Sequence, residues 1–102
     1  MSRLRVVLTQ NALDQLEQID IWWHTNRPKN PTLVEAEMRE AIQALSAQPD
    51  AGTVFARRGV RGVRRLLLPK SRYYVYYRVN RDEKQVQIVA IWHTSRKKVP
   101  PL

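Results

Sequence analysis

The sequence is poor in the residues that cross-link a chain or build nucleotide-binding loops. Among 102 residues there is no cysteine, and there are only three glycines. A chain without cysteine has neither disulfides nor thiolate metal sites, which suits a reducing compartment. The glycines, Gly52, Gly59 and Gly62, lack the spacing of a phosphate-binding loop, which argues against nucleotide chemistry. We therefore expect no cofactor and no metal site.

Long apolar runs are also missing. The only apolar run near the N-terminus is short and ends at Thr9, well below the length of a signal-peptide core or a spanning helix. We therefore expect a cytoplasmic protein with no membrane partner. The length and the 43% apolar content are sufficient for one two-layer domain covering residues 1–102.

Acidic residues are scarce in the second half of the chain. Residues 1–49 hold five Lys and Arg against six Asp and Glu, a balance of 5 − 6 = −1. Residues 50–102 hold thirteen against three, a balance of 13 − 3 = +10, and most of these cations are arginine. Such asymmetry predicts an anionic partner, either nucleic acid or an acidic protein segment, and binding that weakens with salt.

Hydrophobic periodicity predicts one strand, two helices and three further strands. A β-rich segment over residues 3–8 precedes Thr9, a good N-cap for a helix from residue 10 to about 26. Asn30 and Pro31 suit the cap and first position of a second helix, which ends before Pro49.

Apolar and aromatic runs at 61–68, 72–79 and 86–92 are joined by short polar segments, which predicts antiparallel hairpins. We expect an α+β domain of order β-α-α-β-β-β, with a helical hairpin packed on an antiparallel sheet. We expect residues from about 94 to 102 to form an irregular basic tail.

All four tyrosines lie in one predicted strand with two unlike sides. The expected core side carries Tyr73, Val75, Tyr77 and Val79, and pairing Val79 with Val86 extends it with Ile88, Ala90 and Trp92. The expected opposite side carries Arg72, Tyr74, Tyr76 and Arg78, extended by Gln87, Val89, Ile91 and His93. A shift of one residue would mix the two sets. We therefore expect Arg72, Tyr74, Tyr76 and His93 to share one surface.

Several motifs follow one another along nearly the whole chain. They are Ile42-x-x-Leu45-x-x-x-Pro49-x-x-Gly52, Gly62-Val63-Arg64-x-Leu66, Tyr73-x-Val75-x-Tyr77-Arg78-Val79 and Ile88-x-x-Ile91-x-His93-x-x-Arg96. In this order they resemble the RelE/ParE superfamily of toxins from type II toxin–antitoxin modules. The resemblance implies the fold inferred above and a cognate antitoxin that neutralises the toxin through an acidic C-terminal segment. It also implies that operator DNA is bound only through the antitoxin.

The superfamily divides by target. RelE-like members are ribosome-dependent mRNA endonucleases, whereas ParE-like members inhibit DNA gyrase without nuclease chemistry. In the nucleases the third strand begins Tyr-Arg-x-x-Tyr, and Tyr74 stands here in place of that phosphate-stabilising arginine. The segment His93-Thr94-Ser95-Arg96 resembles the His-x-x-Arg ending of ParE-like and plasmid-stabilisation proteins. The resemblance thus favours gyrase inhibition by binding, with the ribosome-dependent mRNA endonuclease as the alternative.

Metal-independent RNA cleavage needs a base, an acid and cations for the phosphate. We favour no catalytic residue; the alternative assigns this chemistry to His93, Arg96 and Arg72. The favoured interpretation is a set of contacts to target or antitoxin, made by Arg57, Arg58, Arg61, Arg65, Arg72, Tyr74, Tyr76, His93 and Arg96.

The remaining distinctive residues have simpler interpretations. His24 has no matching ligands nearby in the sequence, so we assign it no function. Trp22, Trp23 and Trp92 are expected in the core or along a groove that receives antitoxin side chains. The carboxylates of both helices are expected to form a solvated surface: Asp14, Glu17, Asp20, Glu35, Glu37 and Glu40.

Overall fold

The computed structural model describes residues 3–102 and has two helices packed against one sheet. Its elements are β1 (Arg5–Leu8), α1 (Gln10–Asn26), α2 (Leu33–Ala47), β2 (Thr53–Val54), β3 (Arg64–Leu67), β4 (Tyr73–Asn80) and β5 (Gln85–His93). The predicted α+β class and element order are confirmed. The two-residue strand β2 is an addition that no periodicity in the sequence indicated.

The sheet is mixed, with strand order β1-β5-β4-β3-β2. The hairpins of β3 with β4 and of β4 with β5 are antiparallel, as predicted. β1 instead runs parallel to β5, with Arg5 opposite Gln85 and Leu8 opposite Ile88. The expectation of a wholly antiparallel sheet was therefore wrong. A parallel pair needs a long crossover, which the helical hairpin and the intervening strands provide.

The two helix starts differ in how they are capped. Thr9 caps α1 as predicted, since its Oγ1 accepts a hydrogen bond of 3.3 Å from the Ala12 amide. α2 begins later than predicted, with Thr32 at the N-cap and no side-chain cap bond. Asn30 does not cap it, because its amide donates to the Arg27 carbonyl and its own carbonyl accepts from Leu33 in the linker turn.

Glu37 of α2 ties the helices to the turn between β3 and β4. Its side chain is 6% exposed, and its two carboxylate oxygens accept from the Lys70 and Ser71 amides at 2.8 and 2.9 Å. The expectation that Glu37 belongs to a solvated surface was wrong. Two backbone donors compensate the burial of its charge.

Tyr77 lies at the centre of the main core, on the side of the sheet that faces the helices. Its hydroxyl donates to the Pro49 carbonyl and accepts from the Gly52 amide, both at 2.8 Å. A Cβ on Gly52 would lie 2.6 Å from the Tyr77 Oη and 2.7 Å from the Arg65 carbonyl oxygen. Only glycine therefore fits where the chain leaves α2 and returns to the sheet.

A bulge interrupts the β4–β5 ladder between Tyr76 and Tyr77. On one side of it Val79 pairs with Val86 and Tyr77 with Ile88, as predicted. On the other side Tyr76 pairs with Ala90, which leaves Val89 as an additional residue in β5. The later residues of β5 therefore face opposite to the prediction: Ile91 packs in the helix-side core, whereas Ala90 and Trp92 join a cluster on the other side.

The Tyr77 side chain offers a direct test of this core. Tyr77→Ala is expected to unfold the domain or lower its stability by about 3–5 kcal/mol, because it removes a large buried aromatic. Tyr77→Phe keeps the packing but leaves the Gly52 amide without its partner, which costs about 1–3 kcal/mol. Urea unfolding of both variants measures these losses. A stable Tyr77→Ala variant would contradict the placement.

The same hydroxyl predicts a loss of stability in alkali. Burial raises the pKa of Tyr77 above its ordinary value, so the folded state holds this proton more tightly than the unfolded chain does. The stabilising contribution is fully present below about pH 10 and is lost as the pH rises through the raised value. Unfolding free energies measured from pH 8 to 11 should fall less steeply in Tyr77→Phe than in the wild type. Equal slopes would contradict the linkage.

Candidate target-binding face

The side of the sheet turned away from the helices, here called the outer face, has a small core of its own. Its buried residues are Phe55, Val63, Tyr76 and Ala90. The ring of Phe55, supplied by the loop after β2, meets Tyr76 edge to face with centroids 5.2 Å apart. Tyr76 is consequently only 2% exposed, and the expectation that it lies on an accessible surface was wrong.

Arg65 lies over this core as a stacked cation. Its Cζ is 4.1 Å from the centroid of the Tyr74 ring and 5.2 Å from that of Phe55. One of its amino groups, Nη1, also lies 3.4 Å from the Tyr76 Oη. The aromatic rings hold the guanidinium by cation–π attraction, worth about 0.5–2 kcal/mol per pair. Tyr74 therefore positions the guanidinium of Arg65. A binding partner would be contacted through the N–H groups in the plane of that guanidinium.

Arg96 makes a second stacked pair at the end of β5. Its Cζ lies 4.0 Å from the Trp92 centroid, and Trp92 is paired across the ladder with Tyr74. The Trp92 Nε1 donates to the Lys98 carbonyl at 2.8 Å, and Val99 packs on the outer core. The tail after β5 is irregular, as predicted, and these contacts attach it to the outer face.

The loop between β2 and β3 adds three exposed arginines. A turn closed by the Val60 amide and the Arg57 carbonyl at 3.0 Å presents Arg57 and Arg58, and Arg61 follows it. Gly59 and Gly62 have φ angles of 79° and 68°, which glycine adopts without strain. The second of these delays the start of β3 from the predicted residue 61 to Arg64.

The ion pairs within the described residues involve other arginines. Asp50 pairs with Arg64 at 3.7 Å and with Arg81 at 3.0 Å. Within residues 3–102 no carboxylate forms an ion pair with five other arginines of the predicted contact set. We call these five arginines the arginine face: Arg57, Arg58, Arg61, Arg65 and Arg96.

His93 lies on the helix side of the sheet, away from Tyr74 and Tyr76. Its ring meets Tyr73 edge to face at 4.8 Å, and its Nδ1 accepts from the Ser95 amide at 3.0 Å. The predicted surface shared by Arg72, Tyr74, Tyr76 and His93 is therefore wrong. The bulge turned His93 to the other side of the sheet, and Arg72 stands before β4 with a φ of 69°.

A groove of about 540 Å³ runs between α1 and the end of β5. His93 and Arg96, two members of the alternative catalytic set, both line it together with Tyr73. The third member, Arg72, is exposed and is not among its lining residues. The three groups expected for catalysis are thus not gathered in this groove.

The tryptophans of α1 have different environments. Trp23 is buried, and its Nε1 donates to the Tyr73 Oη at 3.3 Å. Trp22 is 44% exposed on the wall of the groove, with the Arg27 Cζ 5.0 Å from its ring centroid. His24 bonds through its Nδ1 to the Asp20 carbonyl one turn earlier, so it lies in a local helix contact.

The model of the ParE toxin of the type II toxin–antitoxin system parDE matches residues 6–98 of this chain. The chain belongs to the ParE toxin family. A relative in Sinorhizobium fredii (strain NBRC 101917 / NGR234), described as putative toxin Y4kP, is 31% identical over 98 residues, which cover 95% of each chain. The prediction of a RelE/ParE superfamily toxin is therefore confirmed.

Solved structures from both branches share the fold. The chromosomal ParDE toxin–antitoxin system from P. aeruginosa matches with a TM-score of 0.72 and 22% identity, over 89% of this chain and 96% of the other. The RelBE2 complex from Mycobacterium tuberculosis gives 0.63 and 21%, over 94% and 97%. The isolated E. coli RelE toxin gives 0.57 and 17%, over 93% and 88%. These similarities establish the fold and leave the branches to be distinguished by their side chains.

No helix in the part of the chain described by the structure has the length and apolarity needed to cross a bilayer.

Substitutions on the outer face should distinguish its small core from its exposed arginines by their effect on stability. Phe55→Ala is expected to cost about 3–5 kcal/mol, because Phe55 covers Tyr76. Arg57→Ala should change stability by less than about 0.5 kcal/mol, because the side chain is exposed. Thermal unfolding distinguishes the two, with exposed Arg39→Ala on α2 as the control. Equal losses in Phe55→Ala and Arg57→Ala would contradict an independent outer core.

Proposed function

We propose that this ParE-family toxin inhibits DNA gyrase by binding to it, without catalysis of its own. The observation that carries the proposal is the separation of His93 from Arg65 and Arg72, since Arg96 lines the groove with His93 whereas these two arginines do not. A nuclease needs its base and its phosphate-binding cations around one phosphate. Here His93 faces α1 while Arg65 stacks on Tyr74 across the sheet, which supports binding over cleavage.

The arginine face is the proposed contact surface. Its cations lack carboxylate partners within the described residues, so an anionic target surface would not have to displace an existing ion pair. Fixed guanidiniums form bidentate hydrogen bonds with carboxylates or phosphates. Partly desolvated charge pairs of this kind give specificity and a fast, salt-dependent association.

A cognate antitoxin is the proposed neutralising partner in the cytoplasm. The similar structures include the ParDE system from P. aeruginosa and the intact E. coli RelBE toxin–antitoxin complex. The +10 balance of residues 50–102 matches an acidic antitoxin segment by charge. We propose that operator DNA is bound through that antitoxin.

Purified toxin tests the target in a gyrase supercoiling reaction. We expect the wild type to block supercoiling, and Arg65→Ala and Arg96→Ala to weaken inhibition by about ten-fold, as for the loss of one charged hydrogen bond. Arg39→Ala on α2 changes the net charge equally and should inhibit like the wild type. Full inhibition by both face variants would contradict the proposed surface.

The alternative activity predicts a different response in cells. A ribosome-dependent mRNA endonuclease would cleave transcripts rapidly after induction, and His93→Ala would abolish that cleavage. Gyrase inhibition instead leaves mRNA intact while DNA damage signalling rises, and His93→Ala should remain toxic. Primer extension on a translated reporter mRNA distinguishes the two. Codon-positioned cleavage would overturn the gyrase proposal.

A further inference from the structure

The arginine face extends from the β2–β3 loop to the tail after β5. Arg65 on β3 and Arg96 beyond β5 flank the cross-strand pair of Tyr74 and Trp92. Two strand spacings separate β3 from β5, roughly 10 Å. The loop arginines precede β3 in the chain, and Lys97, which follows Arg96, is also exposed. Positive charge is thus spread along a strip across the sheet.

The aromatic rings on this strip are already engaged. Tyr74 has the guanidinium of Arg65 over its ring, and Trp92 has that of Arg96. Single-stranded nucleic acids bind by stacking their bases on open aromatic faces. The rings of Tyr74 and Trp92 therefore have no open face on which a base could stack. The groups that this strip exposes are cations.

An acidic peptide fits the strip less well than a phosphate backbone does. Peptide recognition needs apolar anchors that enter pockets as well as charge. The groove between α1 and the end of β5 is lined by Arg96, but Arg57, Arg58, Arg61 and Arg65 do not line it. Duplex DNA presents regularly spaced phosphates over a long surface, and arginine forks recognise phosphate with both amino groups.

We propose that the arginine face binds the phosphate backbone of duplex DNA directly, without reading its sequence. This inference goes beyond gyrase inhibition and does not depend on it. Each cation that contacts a phosphate releases counterions, which makes the affinity fall steeply with salt.

Fluorescence anisotropy with a labelled duplex of about 20 base pairs tests the proposal. The variant carries Arg57→Ala, Arg58→Ala and Arg61→Ala, and its matched control carries Arg3→Ala, Arg5→Ala and Arg39→Ala. Both triple variants lose the same charge from exposed positions, so both should fold, as circular dichroism would verify. We expect the loop variant to lose at least about ten-fold in affinity and to flatten the log–log salt dependence by about two to three. The control should bind within about three-fold of the wild type.

The outcomes that overturn the proposal are specific. Equal losses in the two triple variants would mean that net charge alone attracts the DNA. Tighter binding of single-stranded DNA, or complete competition by a polyglutamate peptide at matched charge, would assign the strip to another class of partner. Because gyrase is absent from this assay, its result is independent of the supercoiling measurement.

Discussion

One additional residue in β5 determines which side chains each face of the sheet carries. Val89 stands in the bulge opposite the Tyr76–Tyr77 step, and every residue after it changes sides. Ile91 and His93 thereby turn towards the helix side, whereas Trp92 packs with Tyr74 against the outer cluster. Without the bulge the imidazole and the stacked arginine would share one surface. The division between a helix-side groove and a basic outer face follows from this irregularity.

Different contacts hold the two sides of the sheet: hydrogen bonds on the helix side and aromatic packing on the outer side. On the helix side, the Tyr77 hydroxyl holds the loop after α2 through Pro49 and Gly52, and Glu37 holds the β3–β4 turn. On the outer side, the ring of Phe55 covers Tyr76. Both faces of β4 are therefore buried at its centre, which explains why this strand is so rich in aromatic residues.

Much of the fold could be predicted because its signals are local. The span of α1 follows from its apolar period and from Thr9, and pairing Val79 with Val86 was correct up to the bulge. No signal in the sequence indicates the bulge. Residues 88–92 are continuously apolar, so no alternating polar residue shows which face of the sheet each side chain occupies. Glu37 was misjudged for a related reason. Its partners are amides 33 and 34 residues away, beyond any local pattern.

The residue types of the candidate site could be predicted from the sequence, but their arrangement on the two faces of the sheet could not. The arginines of the β2–β3 loop are exposed. The stacking of Arg65 between Phe55 and Tyr74 also has an entropic consequence. A free arginine side chain loses about 2 kcal/mol of rotamer freedom when a ligand immobilises it. Part of this entropy loss of the Arg65 side chain already occurs when the protein folds. The guanidinium therefore meets its partner in a nearly fixed position. A lysine at the same place would keep the charge, but it would lack the flat group that the two rings hold.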